Sequence, residues 1–421
     1  MKGEQALVPK LRFGEFAQGW ATSKIGELCP CIVPGRNKPK TFEGEIPWIT
    51  TPDITHQGVI TQSKVKLGLS EGEAKSVGSK IVPKDSVIIS CVGDLGLVAI
   101  TGNKLVINQQ LHAFLPCEEL SPRFTLYGLS TQTKFMDKVA TKTAVPYMNK
   151  DNCNSIPIHY PSLPEQEKIA AFLTSVDDRI DQLKCKKSLL QDYKKGAMQK
   201  LFSQELRFKD EHGNDYPDWE EKKLEDVYTY QTTNSYSRDK LNYESGEVYN
   251  IHYGDIHTKF RCHFHLSNEY VPYLNPDIET DKIKPECFLQ IGDIVLADAS
   301  EDYADIGKSI EVIDLDEAEV VAGLHTYILR PDTSKISKGF GAYLMQARPT
   351  RLEVMRIAQG TKVLGLPKAY LSFITLNIPH SEEQTKIANF LSSLDRKIEQ
   401  VDTQITQTQT FKKGLLQQMF V

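Results

Sequence analysis

Two short segments in the second half of the sequence come closest to known motifs for binding a nucleotide or a methyl donor. Segment 302–309, DYADIGKS, resembles the phosphate-binding loop GxxxxGK[ST], but Asp302 stands where the loop needs its first Gly to let backbone amides surround a phosphate. Segment 275–277, Asn-Pro-Asp, lacks the Pro-Pro-aromatic continuation that lines an amino-methyltransferase pocket. We therefore predict no catalytic residues in this chain.

Histidine and cysteine side chains are concentrated in segment 252–265, a composition that raises the question of zinc. These residues are His252, His257, Cys262, His263 and His265. Their spacing fits no standard zinc finger, and the segment has no CxxC pair. We expect a polar, partly buried loop and no metal site. His112 and His325, each preceded by leucine in a strand-like segment, are interpreted as structural histidines.

Composition and charge are those of an ordinary globular protein of two or three domains. Of the 421 residues 40% are apolar and 25% are charged, and the formal net charge is −5. This charge argues against a uniformly basic surface for nucleic acid but allows a local basic face. Eight scattered cysteines and the absence of an apolar leader predict reduced thiols and a cytoplasmic protein. The sequence contains no run of eighteen apolar residues, so no membrane-spanning segment is predicted.

An internal repeat organises the chain. Segments 165–202 and 383–420 align without a gap, so equivalent residues differ by 218 (383 minus 165). EQEKIAAFLTSVDDRIDQL matches EQTKIANFLSSLDRKIEQV, and both segments end in KKG followed by a final Phe. Weaker matches precede them: 11–13 (LRF) and Trp20 recur as 206–208 and Trp219, 111–114 recurs as 324–327, and 145–146 recurs as 366–367. The chain thus alternates a variable block with a nearly identical helix, twice.

Each repeated segment carries apolar residues in alternating steps of four and three, the pattern of a coiled-coil seam. The predicted seam residues are Ile169, Leu173, Val176, Ile180, Leu183 and Leu190 in the first helix, and Ile387, Leu391, Leu394, Ile398, Val401 and Ile405 in the second. Lys187 and Lys194 interrupt the first seam, and Thr408 and Lys412 interrupt the second. Such polar interruptions weaken a coil but can determine how helices pair. Capping boxes are predicted at Ser162 with Glu165 and at Ser381 with Gln384.

Two arrangements of these helices are open. They can pair antiparallel, which would relate the two blocks by an approximate two-fold axis. Alternatively, each helix can pack only on its own block. Phe172 and Phe390 lie beside the seam, where either a partner protein or the block itself could cover them.

The variable blocks are predicted to be mixed α/β. Strands are expected near 86–90, 97–101, 293–296 and 309–313, and helices near 121–140 and 338–357. Loops rich in basic and polar groups are candidates for contacts with phosphates and base edges. The candidate DNA-binding residues are Arg36, Asn37, Lys38, Lys40, Ser235, Arg238, Lys240, Lys259 and Arg261. The alternative for these loops is an ordinary solvated surface.

The duplicated helix, the KKG…F endings and the LRF…W start of each block resemble the specificity subunits of type I restriction–modification systems. The resemblance covers essentially the whole chain and is strongest at 162–224 and 381–420. It implies an α+β fold with two similar mixed α/β target recognition domains, at 1–161 and 206–378. The spacer helices at 162–205 and 379–421 would pair as an antiparallel coiled coil with pseudo-two-fold symmetry.

The resemblance also implies partners. Each recognition domain would read half of a split double-stranded DNA site through the major groove. Two methyltransferase subunits would dock on the helices and two motor-nuclease subunits would join them, bringing S-adenosylmethionine, ATP and Mg; the chain itself would bind no cofactor and would be no enzyme. Two alternatives are a coiled-coil adaptor without a nucleic-acid role and a self-sufficient DNA-modifying enzyme.

Overall fold

The computed structural model describes residues 7–35 and 37–421 and divides the chain into two compact units. One unit contains the residues up to Lys184 together with Asp402–Val421, and the other contains Cys185–Val401. Two long helices, Leu163–Phe202 and Ser381–Met419, each contribute to both units. Each unit is therefore one block with the first part of one long helix and the last part of the other. Within the described residues no helix has the length and apolar character needed to span a membrane.

The first block is built around a five-stranded sheet. Its strands, in spatial order, are Cys31–Ile32, Leu111–Phe114, Val87–Ser90, Val98–Thr101 and Val59–Ile60. A smaller sheet contains Gly68–Leu69, Ile46–Ile49 and Val106–Ile107, and a ribbon pairs Ala21–Lys24 with Pro157–Tyr160. The helices are Ile25–Leu28, Glu71–Ser76, Pro122–Ser130, Thr133–Val139 and Lys150–Asn154.

The second block repeats this topology. Its five-stranded sheet runs Tyr228–Gln231, Thr326–Pro331, Ile294–Ala297, Ser309–Asp314 and His263–His265. Its second sheet contains Leu241–Asn242, Tyr273–Leu274, Val248–Ile251 and Glu319–Ala322, and its ribbons pair Glu220–Lys223 with Thr375–Ile378 and Ala299–Ser300 with Leu364–Gly365. The helices are Leu224–Val227, Tyr253–Thr258, Phe340–Gln346, Arg348–Ile357 and Lys368–Leu371. The predicted α+β class and the strands and helices predicted inside the blocks are thus confirmed.

The central strands are continuous apolar runs because both faces of each large sheet are covered. Val87 and Ile89 face a core formed with the helices of the block, whereas Ile88 faces a second core under the smaller sheet. Ile294 and Val295 divide in the same way in the second block. Side chains alternate between the faces of a strand, so a sheet buried on both sides needs apolar residues at every position.

The strand register corrects part of the internal alignment. Asp85 and Gly292 both have left-handed backbones, with φ of 64° and 95°, directly before equivalent central strands. Ile89 and Leu296 each lie four residues after these positions and are therefore equivalent. His112 pairs with Ile89 and Tyr327 pairs with Leu296, so His112 corresponds to Tyr327 and not to His325.

The match between segments 145–146 and 366–367 also needs correction. Isolated bridges join Thr141 to Tyr147 and Gln359 to Gly365, which makes Pro146 equivalent to Leu364 and not to Pro367. Short sequence matches outside the helices can be aligned a few residues out of place, because only a few side chains in each block are alike.

Candidate functional site

A cluster of arginine, tryptophan and glutamate joins each block to the start of the helix that follows it. In the first unit, Arg12 donates two hydrogen bonds of 2.7 Å to the Glu165 carboxylate, and Trp20 Nε1 lies 3.4 Å from the same group. Glu165 is buried, so the two donors replace the water that it loses. The repeated arginine and tryptophan of the LRF…W segments are therefore hydrogen-bond donors to a glutamate of the long helix.

The second unit contains the equivalent Arg–Trp–Glu cluster. Arg207 Nη2 lies 2.8 Å from Glu383, and Trp219 Nε1 donates to the same carboxylate at 3.2 Å. This geometry corrects the capping box predicted at Ser162, because the Glu165 carboxylate binds Arg12 of the block.

The glutamine after each of these glutamates holds the strand-to-helix connection. Gln166 accepts from the backbone of Ser121 and donates to the carbonyls of Glu119 and Pro161. Gln384 forms the same three hydrogen bonds, with the backbones of Ser337, Lys335 and Pro379. Gln384 therefore binds this connection, not Ser381 as the predicted capping box required.

The last turn of each long helix packs against the block of the other half of the chain. Phe420 lies 6.2 Å from Trp20 and 5.2 Å from Phe124, measured between ring centroids. In the second unit, Phe202 lies 6.0 Å from Trp219. Each block therefore contacts both its own helix and the end of the other one, so the alternative in which each helix packs only on its own block is wrong.

The predicted seam residues are mostly buried. All are buried except Leu190 and Ile398, which are partly buried. Ile169, Leu173, Val176 and Ile180 share one core with Leu415 of the other helix. Beside the seam, Phe172 packs on Phe13 and Phe390 on Phe208, each pair 5.9 Å apart, so the blocks themselves cover these two aromatics.

A cluster of tyrosine, aspartate and lysine links the two helices inside the first unit. Asp177 of the first helix forms an ion pair with Lys412 of the second. The hydroxyl of Tyr127, on a helix of the block, donates to Asp177 at 2.7 Å, and Lys412 Nζ lies 5.3 Å from the centroid of the Tyr127 ring. Burial raises the pKa of Tyr127, which keeps this donor protonated.

The second unit contains the equivalent Tyr–Asp–Lys cluster with the helices exchanged. Lys194 Nζ lies 2.5 Å from Asp395, the Tyr343 hydroxyl donates to Asp395 at 2.6 Å, and Lys194 lies 5.1 Å from the Tyr343 ring centroid. Lys194 and Lys412 are interpreted from sequence as interruptions of the seam. Each instead forms an ion pair with an aspartate of the other helix. The signal was present in the gapless repeat, which places both members of each pair at equivalent positions. Sequence reasoning missed it because the tyrosines lie in the dissimilar blocks.

The candidate DNA-binding residues of the second block include a compact group around a buried carboxylate. Arg238 donates to both Asp255 oxygens at 2.8 and 3.0 Å, and Lys259 Nζ lies 2.9 Å from Asp255. Burial opposes ionisation of Asp255, but these donors outweigh it and lower its pKa. Both cations remain nearly half exposed, and Lys259 also contacts Tyr243, whose ring stacks at 4.4 Å on Tyr270. The result is an exposed surface of cations and aromatic rings held by one aspartate.

The other candidates in this block are dispersed. Ser235 is exposed, Lys240 Nζ lies 3.8 Å from Asp277, and Arg261 forms a 2.7 Å ion pair with Glu399 of the second long helix. Arg261 therefore belongs to a contact between block and helix as well as to the surface.

In the first block, Arg36 lies outside the described residues. Asn37, Lys38 and Lys40 are exposed. The loop is held by its backbone, since Gln109 donates to the carbonyl of Asn37 and the Lys40 amide donates to Glu73. The side chains of Asn37, Lys38 and Lys40 are thereby left facing solvent.

The histidines differ from one another. His112 is buried in a strand, and its Nδ1 has no hydrogen-bond partner among the described residues. His325 is half exposed, has a φ of 58° and pairs with Asp298 at 3.1 Å just before its strand, so the prediction of a strand histidine is wrong there, whereas His112 lies inside a strand as predicted. In 7–35 and 37–421, no three His, Cys, Asp or Glu side chains are arranged to hold a metal ion.

Comparison with known proteins identifies the family. The model of the type I restriction modification DNA specificity domain matches residues 17–191 and 216–408. The MjaIX specificity subunit of Methanocaldococcus jannaschii is 24% identical over 248 residues, 56% of this chain and 57% of that protein. The MjaVIII specificity subunit of the same organism is 25% identical over 95% of this chain and 91% of its own length.

Solved structures with the same fold include the type I restriction–modification S subunit from M. genitalium. Its TM-score is 0.58 at 15% identity, with 99% of both chains covered. A chain from a study of assembly and conformational transition of the type I system also gives 0.58, at 16% identity over 96% of this chain and 97% of that one. With a family model that matches both of its halves, this chain belongs to the type I restriction–modification DNA specificity family.

Proposed function

We propose that this chain is the DNA-specificity subunit of a type I restriction–modification complex and that each block reads one half of a divided DNA site. The observation that carries this proposal is the duplication of one sheet topology with dissimilar loops on it. A common framework fixes where the loops lie, while the loops differ in the groups that they offer. Two unlike readers on one chain suit a target with two different halves.

The cationic surfaces of the blocks supply the contacts to DNA. In the second block these are Arg238 and Lys259 with the stacked Tyr243, and in the first block Lys38 and Lys40. Exposed cations neutralise phosphates, while arginine and asparagine side chains can also bind base edges in the major groove. The acidic net charge of the chain is compatible with this function because these cations are locally concentrated.

The paired helices act as the spacer. They set the number of base pairs between the two half-sites, since the interhelical contacts in each unit restrict how far one helix can slide along the other. The helices do no chemistry, and neither do the blocks.

The remaining activities belong to partner subunits. Two methyltransferase subunits and two motor-nuclease subunits assemble with the chain and bring S-adenosylmethionine, ATP and Mg. The helices offer equivalent exposed aromatic groups for such a pair of partners, because Tyr193 and Phe411 occupy equivalent positions of the repeat and are 58% and 56% exposed. A contact surface that occurs twice suits two copies of one partner.

The test is to co-express the chain with the methyltransferase subunit of its own operon and to map the modified bases. We expect methylation at a bipartite sequence with a constant spacer. Replacing 206–378 by the block of another family member should change one half-site and leave the other unchanged. Modification without sequence preference, or loss of both half-sites together, would contradict the proposal.

A further inference from the structure

The Tyr–Asp–Lys clusters place charged groups where apolar residues would stabilise the helix pair at least as well. The side chains of Lys412 and Lys194 are only 10% and 16% exposed, and those of Asp177 and Asp395 are 25% and 29% exposed. Desolvation offsets much of the attraction within such pairs. Polar groups at the seam of a coiled coil instead select one register over others, because a wrong register leaves them without partners. The clusters therefore indicate a positioning role.

Both clusters specify the same register. In an antiparallel pair of helices, the numbers of facing residues have a constant sum. The numbers of Asp177 and Lys412 add up to 589, and so do those of Lys194 and Asp395. A register error would therefore break both ion pairs at once.

The apolar seam alone discriminates weakly against a shift by one heptad, since its pattern repeats every seven residues. The charges of the first cluster, Asp177 and Lys412, do not repeat in this way, whereas Lys194 and Asp395 each have a residue of the same charge one heptad away, Lys187 and Asp402. A shift in one direction would bring Asp177 opposite Met419 and Lys412 opposite Lys184, and a shift in the other direction would bring Asp177 opposite Ile405. In the first cluster, both shifts thus replace the ion pair with a desolvated charge or with two like charges. In the second cluster, each shift brings one charge opposite Asp402 or Lys187 but leaves the other opposite Leu201 or Ala388.

Each cluster also fastens the helix pair to a block through its tyrosine. Tyr127 and Tyr343 are fully buried, and each binds the aspartate that binds the lysine of the other helix. In the first unit Lys412 additionally contacts Gln57 of the block. The contact thus joins three separate segments of the chain.

We propose that the two Tyr–Asp–Lys clusters determine the axial register of the long helices. On the function proposed above, they thereby determine the number of unread base pairs between the half-sites. Lys194, Lys412, Asp177 and Asp395 are positioning residues that act on DNA recognition through the spacing of the blocks.

The test measures the register directly in the full chain. The variant carries Lys194→Met and Lys412→Met, which keep an unbranched side chain of similar length and remove both interhelical charges. Spin labels on cysteines introduced at Asp181 and Thr410, both exposed in the first unit, report one interhelical distance in a Cys185→Ser background. We expect one distance in the parent protein. In the double variant we expect a second population at a longer distance, from an axial displacement of about 10 Å, one heptad of helix rise.

The matched control is Lys195→Met with Lys413→Met, which removes the neighbouring, exposed lysine from each helix. It should keep the single distance, as should Lys194→Arg with Lys412→Arg. An unchanged single distance in a folded Lys194→Met, Lys412→Met protein would overturn the proposal. If that variant fails to fold, Lys412→Met alone is measured, with the same two outcomes.

A second measurement separates this inference from the proposed function. Sites are selected from random DNA by the variant assembled with the methyltransferase subunit. A displaced register should be accompanied by a second spacer length that differs by about three base pairs, given roughly 3.4 Å per base pair. A displaced register with an unchanged spacer would leave the clusters as determinants of register and would refute the spacer role of the helices.

Discussion

Replacing Arg207 by alanine should destabilise the second unit strongly. Glu383 is fully buried, and the variant leaves it with Trp219 as its remaining side-chain donor. Removing one partner of a buried ion pair costs about 3–5 kcal/mol, and the lower end applies because Arg207 is 19% exposed. We therefore expect a loss of about 3 kcal/mol in the free energy of unfolding.

Thermal unfolding followed by circular dichroism measures this loss. At about 2–4 °C per kcal/mol for a unit of roughly 200 residues, the midpoint should fall by about 6–12 °C. Arg207→Ala combined with Glu383→Gln should recover part of the loss, because the buried charge is then absent. The control is Arg356→Ala, which removes an exposed pair with Glu353 and should cost less than about 0.5 kcal/mol. A loss below about 1 kcal/mol for Arg207→Ala, or no recovery in the double variant, would refute the reasoning.

Three further predictions concern spacing, DNA binding and pH. Inserting one heptad after both Leu183 and Val401 keeps the two helices in a common register and adds about 10 Å of helix rise. The selected spacer should therefore lengthen by about three base pairs while both half-sites stay the same; an unchanged spacer would contradict this. Replacing Lys38 and Lys40 by alanine should weaken binding of the assembled complex to DNA, and should reduce the slope of log affinity against log salt by about two if both contact phosphates; an unchanged slope would remove this loop from the interface. Burial raises the pKa of Glu311 to about 7, so the folded protein retains this proton and loses stability as the pH rises from below the unfolded pKa through 7. Glu311→Gln should flatten the dependence of the melting temperature on pH between about 5 and 7.5, and an equally steep dependence would show that other groups cause it.

The two Arg–Trp–Glu clusters explain why the sequence carries its similarity where it does. Arg12 and Arg207 lie near the start of their blocks, yet they bind glutamates more than 150 positions later at the start of the long helices. The residues between them belong to the dissimilar blocks. Similarity is thus confined to the contacts that close each unit, and the remaining surface is free to differ.

The sequence by itself determined the duplicated architecture, the long helices and the mixed α/β class of the blocks. It could do so because helix periodicity, a gapless repeat and buried β-branched runs are local patterns, readable without knowing what each side chain contacts. The strands 87–90 and 294–297 and the seam of the long helices are examples.

The tertiary structure decided the partners of charged and polar groups. A lysine in a seam is read from sequence as an interruption, because the aspartate that neutralises Lys194 lies on another helix, 201 positions away. Arg238 and Lys259 likewise become a defined surface only through Asp255, which the fold brings beneath them. Electrostatic contacts depend on distances between segments remote in sequence, and folding alone sets those distances.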